Sequence, residues 1–254
     1  MTAHSSLLIE ELDAHRGIVC AVGAGGKKSV LYQLVREHAG HIALTTTVRM
    51  TRFPEDLAVE RIVGDETMLR DRVLAAARSG SVAYACLSKK TGRYSGVSPG
   101  IIRSIHEEGD FDASFVKADG ARMRWIKAPE EDEPVLVQGV DVVIPVVSAW
   151  AIGKPLDERV AHRVERVAAV TGVAQGDLLT PEAVGRLLAS DAGALQGSTG
   201  ARVAPVINMV DNEQQEKLAR AAATAAIQMT SRFDRVVLCC LRRSQSPVVA
   251  VVTR

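Results

Sequence analysis

The loop Gly23-Ala24-Gly25-Gly26-Lys27-Lys28-Ser29 lies between an apolar run at residues 17–22 and a helical pattern that begins at Val30. This order indicates a strand, a glycine loop and a helix. Glycines let the backbone turn with several N–H groups pointing inward, and the start of the following helix adds unpaired amides and a partial positive charge. The stretch therefore predicts a site for phosphate oxygens, with Lys27 reaching the outer phosphates.

The match to the general phosphate-loop pattern G-x-x-x-x-G-K-[ST] is incomplete. With Lys27 as the motif lysine, the first glycine falls at Ala21 and the magnesium-binding hydroxyl falls at Lys28. With Lys28 as the motif lysine, Ser29 supplies the hydroxyl, but Val22 and Lys27 stand where glycines belong. The alternative is a glycine-rich turn between a strand and a helix that binds nothing.

The composition is that of an ordinary globular chain, with 254 residues, 47% hydrophobic and 24% charged. A net charge of +1, from 31 basic and 30 acidic residues, gives no global field for nucleic acid or an anionic membrane. No apolar run approaches the roughly 18 residues of a membrane span, and the amino terminus lacks an export signal. We therefore expect a cytoplasmic protein with reduced cysteines in its core.

Strands alternate with helices along most of the chain, which predicts an α/β fold with a mostly parallel sheet, three layers and flanking helices, as in P-loop NTPases. We expect residues 1–254 to form a single P-loop-type α/β domain, with 122–200 as an inserted or elaborated helical and loop region. The predicted helices include 65–79, 157–171, 213–229 and one that Thr180 caps. A hairpin is predicted at 89–95.

Two predicted strands end in side chains that suit a phosphate site. Thr45, Thr46 and Thr47 close the strand that follows the first helix, at the edge where open α/β sheets bind ligands. Asp119 follows the apolar strand at 111–118, where such sheets supply a magnesium ligand. The alternatives are that threonine simply suits strands and that Asp119-Gly120 is an ordinary turn.

Several stretches together resemble the YqeC-type accessory proteins of selenium-dependent molybdenum hydroxylases, a family of P-loop proteins. The resembling stretches are GAGGKKS (23–29), LTTT (44–47), KADGARMRWIKAPEEDEP (117–134), IPVVSAWAIGKPL (144–156), His162-Arg163 and VINMVD (206–211). They occur in the family's order from about Gly17 onward.

The resemblance implies roles for specific residues. It implies a phosphate and nucleotide site at Gly23 to Ser29 and at Thr45 to Thr47, with Lys27 and Asp119 as the catalytic pair and Asp119 as the metal ligand. It places Asn208 and Asp211 at the base, because the family's late motif is similar to the guanine-reading N-K-x-D, although Met209 stands here in place of the lysine. It assigns Lys127, Glu133, His162 and Arg163 to a substrate or partner surface, although His-Arg on a helix is more often solvated.

Two departures from the family pattern change the expected charge. Lys28 replaces a hydroxyl residue, and Lys117 replaces a glutamate, which adds about three positive charges. Like charges about 4 Å apart repel by roughly 4 kcal/mol at an effective dielectric near 20, so magnesium is disfavoured beside both lysines. The alternative is that one or both lysines point into solvent.

The sequence thus favours an ATP- or GTP-binding accessory protein for selenium- or molybdenum-cofactor hydroxylases, with weak or lost hydrolysis. The alternative is a binding or scaffold protein on a degenerate phosphate-loop fold, without hydrolysis. A small-molecule kinase ranks last, because no second carboxylate is placed as an acceptor-activating base.

Overall fold

The computed structural model describes residues 7–243 and 246–254. Its helices are α1 (Leu7–Glu11), α2 (Lys27–Glu37), α3 (Glu66–Ala77), α4 (Pro99–Glu108), α5 (Val164–Thr171), α6 (Pro181–Ala189) and α7 (Glu213–Met229), with a 3₁₀ turn at Ala149–Ala151. Its strands are β1 (Gly17–Gly23), β2 (Ile42–Thr46), β3 (Met50–Thr51), β4 (Glu60–Gly64), β5 (Val82–Cys86), β6 (Arg93–Tyr94), β7 (Ala113–Lys117), β8 (Ile126–Lys127), β9 (Val142–Ser148), β10 (Ala161–His162), β11 (Arg202–Val203), β12 (Val206–Asn208), β13 (Arg235–Cys239) and β14 (Val248–Thr253).

Within these described ranges, ten strands form one sheet in the order β14-β13-β12-β9-β1-β7-β2-β5-β4, with β11 also paired to β9. Every neighbouring pair is parallel except β13 and β14. The predicted α/β class with a mostly parallel sheet and flanking helices is confirmed, and the architecture is consistent with a P-loop-like three-layer fold. Short pairs, β3 with β6 and β8 with β10, lie outside the sheet.

Strand β1 shows why its sequence is almost continuously apolar. Its side chains alternate between the two faces of the sheet, and helices cover both faces. Val19 and Ala21 belong to the core under α1 and α2, whereas Ile18, Cys20 and Val22 belong to the core under α3 and α4. A third core packs α5, α6 and α7 against the β9, β12 and β13 side of the sheet.

Most predicted elements occur close to the expected positions. The helices predicted at 65–79 and 213–229 are α3 and α7, and Thr180 Oγ1 accepts a hydrogen bond from Ala183 N at 3.2 Å, which confirms the cap. The four cysteines are buried and free, as expected of core residues. In the part of the chain that the structure describes, no helix has the length and the hydropathy to cross a bilayer.

Two local predictions are wrong. Helix α5 begins at Val164 rather than near 157, because Ala161–His162 pair with β8 and Arg163 adopts a left-handed conformation (φ 65°). The segment 89–95 is no self-contained hairpin, because Arg93–Tyr94 pair with Met50–Thr51, while Ser95 pairs with Cys86. Both errors arise from pairing with residues distant in sequence.

Candidate functional site

The candidate site lies at the carboxyl edge of the sheet, around the end of β1. Strand β1 is parallel to both of its neighbours, β7 and β9. The carboxyl ends of parallel strands lie at one edge, where open α/β sheets place their ligands. Residues 24–26 connect β1 to α2 at this edge, and Asp119 follows β7 beside them.

The glycines let this loop lie against the main chain of β9. Gly23 and Gly25 have φ angles of 89° and 81°, which residues with a side chain rarely adopt. A Cβ at Gly23 would lie 2.4 Å from Val146 O, and one at Gly25 would lie 2.4 Å from Ser148 N. The loop is therefore short and held against the sheet.

The backbone amides of the loop fall into two groups. Three are already used, because Gly23 N donates to Asp119 Oδ2 (2.9 Å), Ala24 N to Val146 O (2.8 Å), and Gly25 N to Arg124 O (3.1 Å).

The second group begins at the amino end of α2, which has no side-chain cap. Among the described residues, nothing accepts a hydrogen bond from the amides at positions 26–29. These amides and the positive end of the helix dipole are available to an anion.

Lys27 and Asp119 form a buried ion pair beside the loop. Lys27 Nζ lies 2.9 Å from Asp119 Oδ1, and the two side chains are 5% and 2% exposed. Lys27 Nζ also donates to Gly23 O, and Lys127 Nζ lies 2.7 Å from Asp119 Oδ2. Burial lowers the pKa of Lys27, and Asp119 partly opposes that shift. The Asp119 carboxylate is thus shared by two ammonium groups.

Lys117 and Lys28 bring two more ammonium groups to this edge. Lys117 is 8% exposed, and its Nζ donates to Asp119 O (2.6 Å) and Arg49 O (3.2 Å). Burial, reinforced by the charge of Lys27, lowers the pKa of Lys117 to about 7. Half-buried Lys28 donates to Thr51 Oγ1 at 2.8 Å, so neither lysine extends freely into solvent, and the alternative that one or both do is wrong.

These residues do not fit a magnesium ion. Both oxygens of Asp119 face an ammonium group, and Lys28 stands at the position where the general phosphate-loop pattern has a magnesium-binding hydroxyl. Over residues 7–243 and 246–254, no three His, Cys, Asp or Glu side chains come close enough together to hold a metal. Magnesium prefers carboxylate, phosphate and water oxygens in an octahedral arrangement.

The predicted surface residues Lys127, Glu133 and Arg163 join Asp119 in one chain of ion pairs. Lys127 Nζ lies 2.5 Å from Glu133 Oε2, and Arg163 Nη1 lies 2.6 Å from the same oxygen. Arg163 continues to Glu130 at 2.8 Å. Burial would raise the pKa of Glu133, but hydrogen bonds from Arg163 and Lys127 outweigh it and lower the pKa to about 2.

His162 borders a cavity of about 500 Å³ next to this chain. Arg122, Arg124, Glu130 and Arg163 also line the cavity. Burial and the positive charge of Arg163 lower the pKa of His162 to about 4. His162 is therefore neutral at pH 7, and the cavity wall includes arginines, carboxylates and a neutral imidazole.

The threonine hydroxyls are engaged with the main chain. Thr45 Oγ1 donates to Tyr84 O (2.8 Å), Thr46 Oγ1 to Lys117 O (2.9 Å), and Thr47 Oγ1 to Val135 O (2.7 Å). Thr45 and Thr46 are fully buried. In this structure the three hydroxyls link β2 to neighbouring segments, and their predicted role near a phosphate remains a prediction.

Asn208 and Asp211 lie on the other side of the loop, and their side-chain oxygens differ in whether they already accept hydrogen bonds. Asn208 Nδ2 donates to Gly25 O at 2.9 Å, while its buried Oδ1 has no hydrogen-bond partner among the described residues. Asp211 accepts from Trp150 Nε1 (3.0 Å) and from Cys240 Sγ (3.2 Å). Asn208 thus supports the loop directly, whereas both oxygens of Asp211 are engaged.

Sequence reasoning missed the aromatic groups beside the loop. Trp125 and Trp150 pack edge to face with ring centroids 5.6 Å apart, and Arg242 lies over the Trp150 ring at 5.3 Å. Both tryptophans fall within stretches that carry the family resemblance, which was the available signal.

A larger cavity of about 580 Å³, lined in part by Asp141, Thr199 and Arg202, contains none of the predicted site residues.

The family model described as YqeC protein matches residues 19–165, more than half of the chain. The chain belongs to the YqeC family. A relative named "Uncharacterized protein YqeC", from Escherichia coli (strain K12), is 29% identical over 183 residues, which cover 70% of this chain and 68% of the relative. The part matched by the YqeC family model runs from β1 through the loop, Asp119 and Lys127 to Arg163, and ends before Asn208 and Asp211.

Proposed function

We propose that this YqeC-family protein binds the phosphates of ATP or GTP at the amino end of α2 without magnesium, and that hydrolysis is weak or lost. The observation that carries this proposal is the charge around the loop. Lys27, Lys28 and Lys117 lie near the loop, where the amides at positions 26–29 have no acceptor among the described residues. Asp119 is the carboxylate paired with Lys27, and it is shared with Lys127.

An anion at this position would relieve two costs at once. It would accept hydrogen bonds from helix amides that have no other partner, and it would offset the repulsion between buried ammonium groups. Lys117 is held at a lowered pKa partly by the charges of Lys27, Lys127 and Lys28. A triphosphate would add negative charge to a loop where Asp119 is the carboxylate in contact with Lys27.

Weak or absent hydrolysis follows from the state of Asp119. A carboxylate holds a metal or orients water less well when ammonium groups neutralise it, and Lys27 and Lys127 lie 2.9 Å and 2.7 Å from the two oxygens of Asp119. The residues also do not fit the magnesium ion that neutralises developing charge in phosphoryl transfer. The site is suited to binding rather than to turnover.

The biological role is proposed from the family resemblance. Maturation of selenium- or molybdenum-cofactor hydroxylases would require contact with a partner enzyme or its cofactor machinery. His162 and Arg163 line the cavity beside the loop, and buried Lys127 holds Glu133, which in turn holds Arg163, so this region is the proposed substrate or partner surface.

Calorimetric titration of ATP and GTP, in EDTA and again with excess magnesium, tests the proposal. We expect binding in EDTA, little gain from magnesium, and roughly tenfold or greater loss in Lys27→Ala. Lys217→Ala is the matched control, because Lys217 is exposed on α7. Binding that requires magnesium and is accompanied by steady phosphate release would overturn the proposal.

Restoring the family's residues gives a converse test. The double variant Lys28→Ser, Lys117→Glu removes about three positive charges from the loop. We expect its nucleotide affinity to fall in EDTA and to recover when magnesium is added. An unchanged response to magnesium would show that these lysines do not replace the metal.

A binding or scaffold protein without a nucleotide is the second candidate. It is favoured by the loop amides at positions 23–25, which already bond to the protein itself. Thermal unfolding with ATP, GTP and tripolyphosphate separates the candidates, because a ligand that binds the folded state raises the midpoint. No shift with any of the three, together with a co-purifying partner enzyme, would favour the scaffold.

A further inference from the structure

Two tryptophans and an arginine form an aromatic cluster at the carboxyl edge of the sheet. Trp125 and Trp150 are both partly exposed, and their planes meet at 86° with centroids 5.6 Å apart. The guanidinium of Arg242 lies 5.3 Å from the centre of the Trp150 ring. Partly exposed tryptophan rings offer apolar faces, and a base stacks readily on such rings.

The cluster is continuous with the phosphate loop. Gly25 N donates to Arg124 O (3.1 Å), so the residue before Trp125 touches the loop directly. Ser148 N donates to Trp125 O (2.9 Å), and Ser148 Oγ accepts from Trp150 N (3.1 Å). A Cβ at Gly25 would lie 2.4 Å from Ser148 N, so the main chain that carries Trp150 lies against the loop.

A buried acceptor lies on the same side of the loop. Asn208 is 3% exposed, its Nδ2 holds Gly25 O, and its Oδ1 has no hydrogen-bond partner in the described ranges. A buried oxygen without a donor is costly, and a ligand that brings a hydroxyl group would satisfy it. A nucleotide carries such hydroxyls on the sugar, between its phosphates and its base.

Both oxygens of Asp211 already accept a hydrogen bond from the protein, which competes with recognition of guanine. A carboxylate recognises guanine by accepting hydrogen bonds from two N–H groups of the base. In this chain Trp150 Nε1 occupies Oδ2 and the Cys240 thiol occupies Oδ1. Asp211 instead fixes the orientation of the Trp150 ring.

We propose that Trp125, Trp150 and Arg242 form a stacking platform for the base of the bound nucleotide, and that the platform does not distinguish adenine from guanine. This inference rests on the proposed function, since the phosphates must lie on the loop for the base to reach the platform. Stacking tolerates any base, because every base has a π-face, and Arg242 adds a cation–π contact.

The sequence contains two tryptophans, and both belong to the platform, so intrinsic fluorescence reports on it selectively. Titrations compare ATP, GTP and tripolyphosphate, with calorimetry in parallel. We expect ATP and GTP to change the tryptophan emission and to bind within about threefold of each other. Tripolyphosphate should bind in calorimetry, more weakly by roughly tenfold, without changing the emission.

The outcomes separate the two proposals. If tripolyphosphate binds as tightly as ATP and neither alters the emission, the platform is overturned while the phosphate site stands. If GTP is preferred over ATP by more than about tenfold, the lack of base discrimination is overturned. If none of the three binds, the proposed function itself fails.

Substitution of each tryptophan tests the platform directly. Trp125→Leu should weaken ATP and GTP roughly tenfold and leave tripolyphosphate unchanged, so tripolyphosphate binding is the internal check of folding. Trp150→Phe keeps a ring but removes the Nε1 donor to Asp211. We expect this variant to retain stacking and to bind ATP and GTP as the wild type does, because Cys240 still donates to the other oxygen of Asp211. Unchanged ATP affinity in Trp125→Leu would contradict the platform.

Discussion

The charges on the two sides of Asp119 differ in their balance. On one side Lys127, Glu133, Arg163 and Glu130 alternate in sign, and each contact joins opposite charges. On the other side lie Lys27, Lys28 and Lys117, where Asp119 is paired with Lys27, while Lys28 and Lys117 donate to neutral oxygens.

This difference distinguishes a structural network from a ligand site. A buried charge that is paired and hydrogen-bonded costs little as long as its partner remains, whereas buried like charges store repulsion that a ligand can relieve. The balanced side should therefore respond to mutation through stability. The unbalanced side should respond through anion binding.

The largest effect is expected on the balanced side, for Lys127→Met. This change leaves Asp119 and Glu133 without the ammonium that both contact, and removing one partner of a buried pair costs about 3–5 kcal/mol. Urea denaturation measures the free energy of unfolding. Lys217→Met, on the exposed face of α7, should stay within about 0.5 kcal/mol of the wild type. Equal stability of the two variants would mean that the chain of ion pairs is not structural.

On the unbalanced side, Lys117→Met should have the opposite sign. Replacing a buried charge by an apolar side chain of similar length removes its desolvation cost, and we expect stabilisation by about 1–3 kcal/mol at pH 7. The pKa of Lys117 is near 10.5 when unfolded and about 7 when folded, so wild-type stability should rise from pH 7 to pH 10.5. Denaturation at several pH values should show a smaller rise in the variant.

Anion affinity should depend on pH in the same window. A bound phosphate favours the charged form of Lys117, so above pH 7 binding must take up a proton. We expect affinity for tripolyphosphate to fall by up to about tenfold per pH unit above pH 7. Calorimetry in two buffers with different ionisation enthalpies would detect the proton uptake. An affinity that does not change with pH would show that Lys117 does not take part in anion binding.

The smallest effect is expected for His162→Gln. The pKa of His162 is near 6.5 when unfolded and about 4 when folded, so wild-type stability is lost as the pH falls from 6.5 through 4. Because His162 is partly exposed, the contribution is discounted to about 1 kcal/mol. Thermal unfolding between pH 7 and pH 4 should show a shallower decline in the variant, and parallel curves would contradict this prediction.

Sequence patterns predicted the elements whose signals are local. The apolar run of β1, the glycine loop and the start of α2 follow from neighbouring residues, and Asp119 was recognised from its place after a buried strand. Alternation along β7 also places Lys117 on the same face as Phe115, below α2, so its burial could have been anticipated.

The remaining features depend on contacts between distant segments. His162 was assigned to a helix because nothing near it indicates that it pairs with Lys127. The bonds of the threonine hydroxyls depend on which strands become neighbours of β2, which no local pattern specifies. The tryptophan cluster needs the segments at 125 and 150 to meet beside Gly25, and spacing along the chain does not reveal that.

The supports of the glycine loop also bear on how the chain folds. Gly23 is held by a residue 96 positions away, and Gly25 is held by one 183 positions away. Contacts between residues so far apart in sequence form late, because the entropy lost on closing a long loop must be overcome before such a contact stabilises the chain. We therefore expect the loop to gain its hydrogen bond from Asn208 only after most of the chain has been synthesised. A fragment limited to residues 19–165 would contain the whole motif and still lack one of its supports.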